Sequence, residues 1–331
     1  MSIRVMNPSY IIDNSTPFLS PTQKKLTKFV YHFTDVNNGA NILNNELLLS
    51  RNAAISKGFM LNDNAAEVVI AGTDINVHDC VRFYFRPKTP TQFQNEGIRS
   101  KDEYHSDYNA HCPIPIFFLF DIDEVITDQR VYFSYESLAS RHEVSLYNFT
   151  HSPDSFKAAP FNHIYHNGWY PPEEWIIKKR RHAEVIVRDE YDLSAVRNIY
   201  CRNENEAITL KSLLSPIILK KYGKLISVPV NTEDYFNDNY LTVKAVYFKE
   251  KDLIINWKQK KQDSSFNFRF EIYSSDEEGL ICKGEQEQYI PYIQTKDKWL
   301  WRTADHLKGY DSCIVKIYLD SNLVYKAYYQ L

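Results

Sequence analysis

Glycine is scarce, 9 of 331 residues, and no Gly-rich phosphate loop or dinucleotide fingerprint occurs. Cysteine is sparse too. The five cysteines, at positions 80, 112, 201, 282 and 313, are an odd number with no close pair, which excludes a disulfide framework and a C-x-x-C zinc site. No metal is expected, and a reducing cytoplasm is the expected compartment. No stretch reaches the ~18 consecutive apolar residues of a membrane span. Met1 to Asp13 lacks a basic region followed by an apolar run, so neither a leader nor a membrane partner is expected. Neither sign of charge prevails: 39 basic and 42 acidic side chains give −3, so any grip on nucleic acid must rest on a local patch. Aromatic residues are abundant instead. The 24 Tyr and 19 Phe suit half-buried strands and stacking surfaces.

The length predicts two compact units, at roughly 100–200 residues per domain. Hydrophobic residues at 44% and charged residues at 24% exclude wholesale disorder. We divide the chain into an N-terminal arm at 1–25, an α/β unit at 26–220 and an all-β unit at 230–331. In the α/β unit, Phe29-Val30-Tyr31-His32-Phe33-Thr34 reads as a strand, Thr34-Asp35 as a cap, and Val36, Ala40, Ile42, Leu43 and Leu47 as a helix face. Val81–Phe85 alternates as a strand and stops at Arg86-Pro87. Ile114–Ile126 reads as one strongly apolar strand, followed by Val131–Phe133, Ala183–Val187 and Leu193–Tyr200, with a helix from Glu204 to Leu214. Arg141–Glu174 has little periodicity, and a loop that long is usually functional. Beyond Val230, the strands Leu241–Phe248, Leu253–Trp257, Phe266–Tyr273, Tyr289–Ile293, Cys313–Leu319 and Val324–Tyr329 suggest a β-sandwich. Its acidic and basic residues nearly balance, so it is no electrostatic clamp.

Three constellations carry chemical groups. On the strand Tyr31–Thr34, His32 and Thr34 share one face and Tyr31 and Phe33 the other; taken alone, a capping threonine beside a satisfied histidine is the plainer reading. In Lys178-Lys179-Arg180-Arg181-His182-Ala183-Glu184, a carboxylate at the head of an apolar strand follows a basic run, suited to an ionised group near an anionic ligand. A solvated turn with Glu184 paired to one of its cations is the plain alternative. Arg82, Tyr84, Arg86 and Lys88 interleave cations with rings, the two ingredients of a single-strand groove, or else decorate an ordinary edge strand. The loop adds Tyr147, His163, Tyr165 and Trp169 as stacking rings and donors.

The order of these pieces resembles the DarT family of NAD-dependent nucleic-acid ADP-ribosyltransferases, the toxins of DarT–DarG modules. Tyr31-His32-Phe33-Thr34 with Asn41-Ile42-Leu43 and Leu47-Leu48-Leu49-Ser50 is similar to that family's opening. His78 to Pro90 is similar to its middle motif, and Arg181-His182-Ala183-Glu184-Val185-Ile186-Val187 to its catalytic strand. The likeness covers about residues 26–215. It implies an ADP-ribosyltransferase-like split mixed sheet, α/β (α+β) in class, followed by the sandwich-like C-terminal unit. It further implies NAD as co-substrate, held by His32, Phe33, Thr34, Asn41 and Leu49, with Glu184 as the catalytic carboxylate. The acceptor would be a base of single-stranded nucleic acid, DNA before RNA, held by Arg82, Tyr84, Arg86, Lys88, Tyr147, His163, Tyr165 and Trp169. An antitoxin protein, a macrodomain-type hydrolase or an inhibitory binder, would be the partner. The family's thymidine-modifying members carry an apolar-first middle motif where this chain has Arg82 and Lys88-Thr89, which leaves the target base open. They also use a second catalytic arginine; none lies between Ala53 and Val81, so Arg51 and Arg82 are the alternatives. Transfer to RNA or protein, and a non-catalytic nucleic-acid-binding module, are the other readings.

Overall fold

The computed structural model describes residues 7–61, 73, 75–100, 111–139, 143–258, 263–290 and 299–331. Ahead of residue 230 the strands are β1 (Phe29–Asp35), β2 (Leu47–Leu49), β3 (Cys80–Tyr84), β4 (Pro115–Asp121), β5 (Val131–Phe133), β6 (Glu184–Arg188), β7 (Glu190–Asp192), β8 (Val196–Cys201) and β9 (Ile226–Ser227). All but β2 and β7, which pair with each other, form one sheet in the order β5-β6-β3-β1-β4-β8-β9. Neighbours run antiparallel except β8 and β9, so the sheet is mixed.

The sheet has a seam. β1 pairs with β4 along its whole length, yet meets β3 at one position, Tyr31 opposite Tyr84. On one face, Val30, Phe83, Phe118, Phe120, Val185 and Val187 join the main core, which also takes Val36, Ala40 and Leu43 from the helix Val36–Asn45 and Ile11 and Ile12 from the helix Pro8–Ser15. On the other, Tyr31, Phe117 and Leu119 pack with Tyr235 and Phe236.

The expected elements are present with shifted ends. Ile114–Ile126 is not one strand: Asp121 accepts the N–H groups of Asp123 and Glu124, and this cap turns Ile122–Ile126 into a helix despite its β-branched Ile122, Val125 and Ile126. Asp35, rather than Thr34, caps the helix Val36–Asn45 by accepting the Asn37 N–H.

The C-terminal strands are β10 (Thr242–Lys249), β11 (Asp252–Lys258), β12 (Ser264–Tyr273), β13 (Leu280–Ile290), β14 (Trp299–Trp301), β15 (Ser312–Leu319) and β16 (Asn322–Gln330). They form two sheets, β10-β11-β14 and β13-β12-β15-β16, whose facing side chains share one core. The strand expected at Tyr289–Ile293 is the end of β13, and residues 291–293 lie outside the described residues. Polar Lys283, Glu285 and Glu287 hid β13, which runs along the sheet's edge where its side chains face water.

This β unit is tied to the first part by polar groups. Buried Glu96 accepts the backbone N–H groups of Asn237 and Asp238 and the side-chain amides of Asn237 and Gln92. The buried guanidinium of Arg202 bonds Glu206 and comes within 4.0 Å of Glu96. Gly97, at φ +105°, brings the backbone so close to Tyr240 that a Cβ would sit 2.9 Å from the tyrosine's own. Asn205 donates to the Val243 and Lys244 carbonyls, and Thr209 accepts the Lys326 N–H.

Candidate active site

Glu184 opens β6 opposite Tyr84 of β3, with Arg82 two residues along on the same face. That diagonal lets the guanidinium lie against the carboxylate: Arg82 Nε is 2.6 Å from Oε2 and Nη2 2.7 Å from Oε1. A fork against two oxygens fixes direction as well as charge. Glu184 has no exposed surface, whereas the Arg82 side chain is 28% exposed, so the arginine stands on the solvent side of the acid. Burial alone would lower the Arg82 pKa, but the Glu184 charge outweighs it and holds the guanidinium above its ordinary range. Tyr84 beside them is pushed up to about 12, by burial first; Arg82 opposes the shift and Glu184 adds to it. The loop after β5 completes the enclosure, with Ser137 Oγ and Leu138 N donating to Oε1 at 3.2 and 3.0 Å.

His32 reaches this pair through the backbone. Its Nδ1 lies 3.0 Å from the Arg82 carbonyl, so Nδ1 carries the donated proton. The row Tyr31–Tyr84–Glu184 shares one sheet face, and His32, one residue on, belongs to the other, where its ring meets Phe83 and Phe118. Burial pushes its pKa down to about 4, leaving a neutral imidazole at pH 7. The other residues expected to hold NAD lie on separate elements. Thr34 is buried near the end of β1, Phe33 packs on Phe117, Asn41 donates to the Phe59 carbonyl, and Leu49 ends β2 opposite Glu190. Of the two candidate arginines, Arg82 meets Glu184, and Arg51 begins the helix Arg51–Ser56, capped by Ser50.

The expected nucleic-acid contacts divide. Arg86 is a buried brace rather than an outward phosphate contact: its donors go to the carbonyls of Pro87, Ile164 and His166, and burial lowers its pKa to about 10. Tyr165 is buried as well, and Tyr147 stacks on Tyr135 at 4.5 Å and 19°, which uses one of its faces. Lys88, at φ +58°, turns the chain into the helix Pro90–Asn95 and reaches the Glu233 carbonyl. His163 is half-buried in the helix Phe161–Ile164, and Trp169 stands 81% exposed.

A cleft of about 350 Å³ opens beside Arg86 and Lys88. Lys178 and Arg181 line it with the rings of Phe93 and Tyr170 and the amide of Asn237. In sequence Lys178–Arg181 reads as a charge run; the helix Ile176–Arg180 brings it to the cleft, where Arg181 lies over Tyr170 and donates to the His166 and Gly168 carbonyls. Nothing in Ser134-Tyr135-Glu136-Ser137-Leu138 marks a chemical motif, so the sequence carries no signal for Ser134, Ser137 or Leu138. Among the described residues, no three His, Cys, Asp or Glu side chains cluster to hold a metal ion, and no helix is long and apolar enough to cross a membrane.

The family profile described as "ssDNA thymidine ADP-ribosyltransferase, DarT" matches residues 31–236, a span that contains Glu184, Arg82, His32 and most of the cleft's lining. A search of curated proteins finds no significant match. Among solved structures, Thermus sp. 2.9 DarT in complex with NAD+ is 16% identical, covering 63% of this chain and 98% of that one, with a TM-score of 0.45. The same protein in complex with ADP-ribosylated ssDNA is 16% identical over 63% and 97%, with a TM-score of 0.48. Thermosipho africanus DarTG in complex with ADP-ribose is 13% identical over 65% and 53%, with a TM-score of 0.49.

Proposed function

The chain belongs to the DarT family, and from that membership we propose how its own residues carry out ADP-ribosyl transfer from NAD to a base of single-stranded DNA. The observation that carries the residue assignment is the clasp of Arg82 on buried Glu184.

NAD enters at the seam between β1 and β3, where His32 approaches from one side of the sheet and Glu184 from the other. The ribose 2′-hydroxyl takes the place of Arg82 Nε on Oε2 of Glu184. As the bond from ribose C1′ to nicotinamide breaks, its electron pair leaves with the nicotinamide, and positive charge spreads over C1′ and the ring oxygen. A fixed carboxylate in a water-poor site stabilises that charge; removing such a group typically costs ~10²-fold or more in rate. The acceptor atom of the base then bonds to C1′, and its proton passes to the Glu184 carboxylate and from there to water. Arg82, displaced from one carboxylate oxygen, orients the base carbonyls with its freed N–H groups.

The cleft takes the strand. Lys178 and Lys88 meet phosphates, and Phe93, Tyr170 and Trp169 offer ring faces, each stacked base contributing ~1–3 kcal/mol. An antitoxin, a macrodomain-type hydrolase or an inhibitory binder, is the partner we assign on the family's pattern. The five unbonded cysteines support a reducing cytoplasm.

The test is transfer of adenylate-labelled NAD to single-stranded DNA oligonucleotides of each base, to RNA and to protein. Label on DNA that disappears in Glu184→Ala supports the assignment. Label confined to RNA or protein would replace the acceptor.

A further inference from the structure

The loop Ser134–Ala139, immediately after β5, is laced to Glu184 through both backbone and side chain. Ser134 N–H donates to the Glu184 carbonyl at 2.8 Å, and Ser134 Oγ accepts the Glu184 N–H at 3.3 Å while donating to the Glu136 carbonyl. Three residues on, Ser137 Oγ and Leu138 N–H both donate to Oε1. The Ser137 hydroxyl also accepts the Ala139 N–H at 3.2 Å, which orients its own proton toward the carboxylate. The loop is clamped from outside: Tyr135 stacks on Tyr147 and donates to the Ser155 carbonyl, Arg180 lies over its ring, and Lys179 approaches Glu136 at 3.9 Å.

These bonds divide the two carboxylate oxygens unequally. Among the described residues, Oε1 accepts from Arg82 Nη2, Ser137 and Leu138, whereas Oε2 accepts from Arg82 Nε. An sp² oxygen with three donors has no lone pair left for a fourth, and one with a single donor has. We propose that Ser137 is a positioning residue of the transferase: with Leu138 N–H it holds Oε1 of Glu184, so that Oε2 is the oxygen presented to the ribose hydroxyl when Arg82 gives way. This rests on Glu184 being the catalytic carboxylate. Without the loop, release of Arg82 Nε would leave the carboxylate pivoting on a single arginine contact. With it, the acid keeps its direction while one partner is exchanged, which is what preorganisation requires.

The experiment compares Ser137→Ala and Ser137→Thr with the wild type and Glu184→Ala in the full chain, measuring kcat, KM for NAD and Tm. Loss of one hydrogen bond to a charged group should lower kcat about tenfold in Ser137→Ala, with KM for NAD within about twofold and Tm little changed. Ser137→Thr, which keeps the hydroxyl, should recover most of the rate. In the Glu184→Ala background, Ser137→Ala should reduce the residual rate no further, because its effect passes through the carboxylate. Wild-type kcat in Ser137→Ala overturns the proposal, as does a rate loss that persists in Glu184→Ala, or one that follows a falling Tm and is shared by the threonine variant. Full transfer by Glu184→Ala alone would instead remove the assignment of Glu184 itself.

Discussion

Arg82 and Glu184 stand on neighbouring strands, two residues out of register, and the offset sets the arginine's Nε and Nη2 against both carboxylate oxygens. A directly opposed pair would bring the backbones' own spacing to the contact; the diagonal gives the longer side chain room to lie flat. The acid that we assign to the reaction is therefore aimed by its arginine partner, which in the proposed mechanism gives way on one side.

Replacing Glu184 by Gln keeps the shape of the side chain and removes its charge. Transfer should fall ~10²-fold or more while the fold persists. Labelled NAD and a single-stranded oligonucleotide measure the first, and circular dichroism the second. Transfer at the wild-type rate would exclude the carboxylate from the mechanism.

Arg82→Lys keeps the charge but replaces a two-pronged fork by one ammonium. We expect kcat to drop about tenfold or more, because one contact cannot fix both oxygens. If lysine serves as well as arginine, charge alone is what position 82 supplies.

The cleft and the brace should separate cleanly. Lys178→Ala should weaken binding of a single-stranded oligonucleotide and flatten the slope of log affinity against log salt by ~0.7. Arg86→Ala should leave that slope unchanged and lower Tm, since it removes bonds to the Ile164 and His166 carbonyls rather than a phosphate contact. Titrations at several salt concentrations distinguish the two behaviours.

Burial pushes the pKa values of His32 and His182 down to about 4, against about 6.5 for a free imidazole. The unfolded chain therefore takes up protons that the folded chain refuses as pH falls from 6.5 toward 4. Stability is whole above that window and declines through it. Tm measured from pH 7.5 to 4.5 should fall toward acid, and His182→Gln should make the decline shallower. KM for NAD should stay flat between pH 6.5 and 8, because His32 remains neutral throughout. A step in KM near pH 6.5 would mean that His32 titrates in contact with the cofactor.

A chain ending at Tyr222 would lose Tyr235 and Phe236 from beneath Tyr31 and Phe117, the Glu233 carbonyl from Lys88 and the Tyr235 carbonyl from Gln92. It should melt well below the full-length protein, and transfer should be impaired with it. Equal Tm values would mean that these contacts contribute little.

Strands were legible wherever burial follows local pattern. Phe29–Thr34 and Val81–Phe85 announce themselves because aromatic and β-branched residues line a pleat, and Glu184 stood out as a lone acid at the head of an apolar strand. The ends were less legible, because caps settle them: one carboxylate, Asp121, converts Ile122–Ile126 from strand to helix. The clasp of Arg82 on Glu184 could not be read, since the residues are 102 apart and their meeting depends on a register that only the paired sheet defines. Arg86 shows the converse. Its place in a basic, aromatic string suggested an outward cation, but the loop folds over it and turns its donors inward. Ser137 carried no signal because a serine that orients a carboxylate looks like any loop serine.

Glu96 gives the molecule's history a constraint. Its carboxylate holds the amides of Asn237 and Asp238 where the chain passes toward β10, in a buried junction shared with Arg202 and Glu206. A recombination event that grafted a different C-terminal module after the transferase would leave Glu96, Arg202 and Glu206 facing an interface not built for them. Gain or loss of the β unit should therefore coincide with substitution at positions 96, 202 and 206. Homologous chains without it should carry apolar or shorter residues there, a pattern open to inspection in genomes without any experiment on the protein.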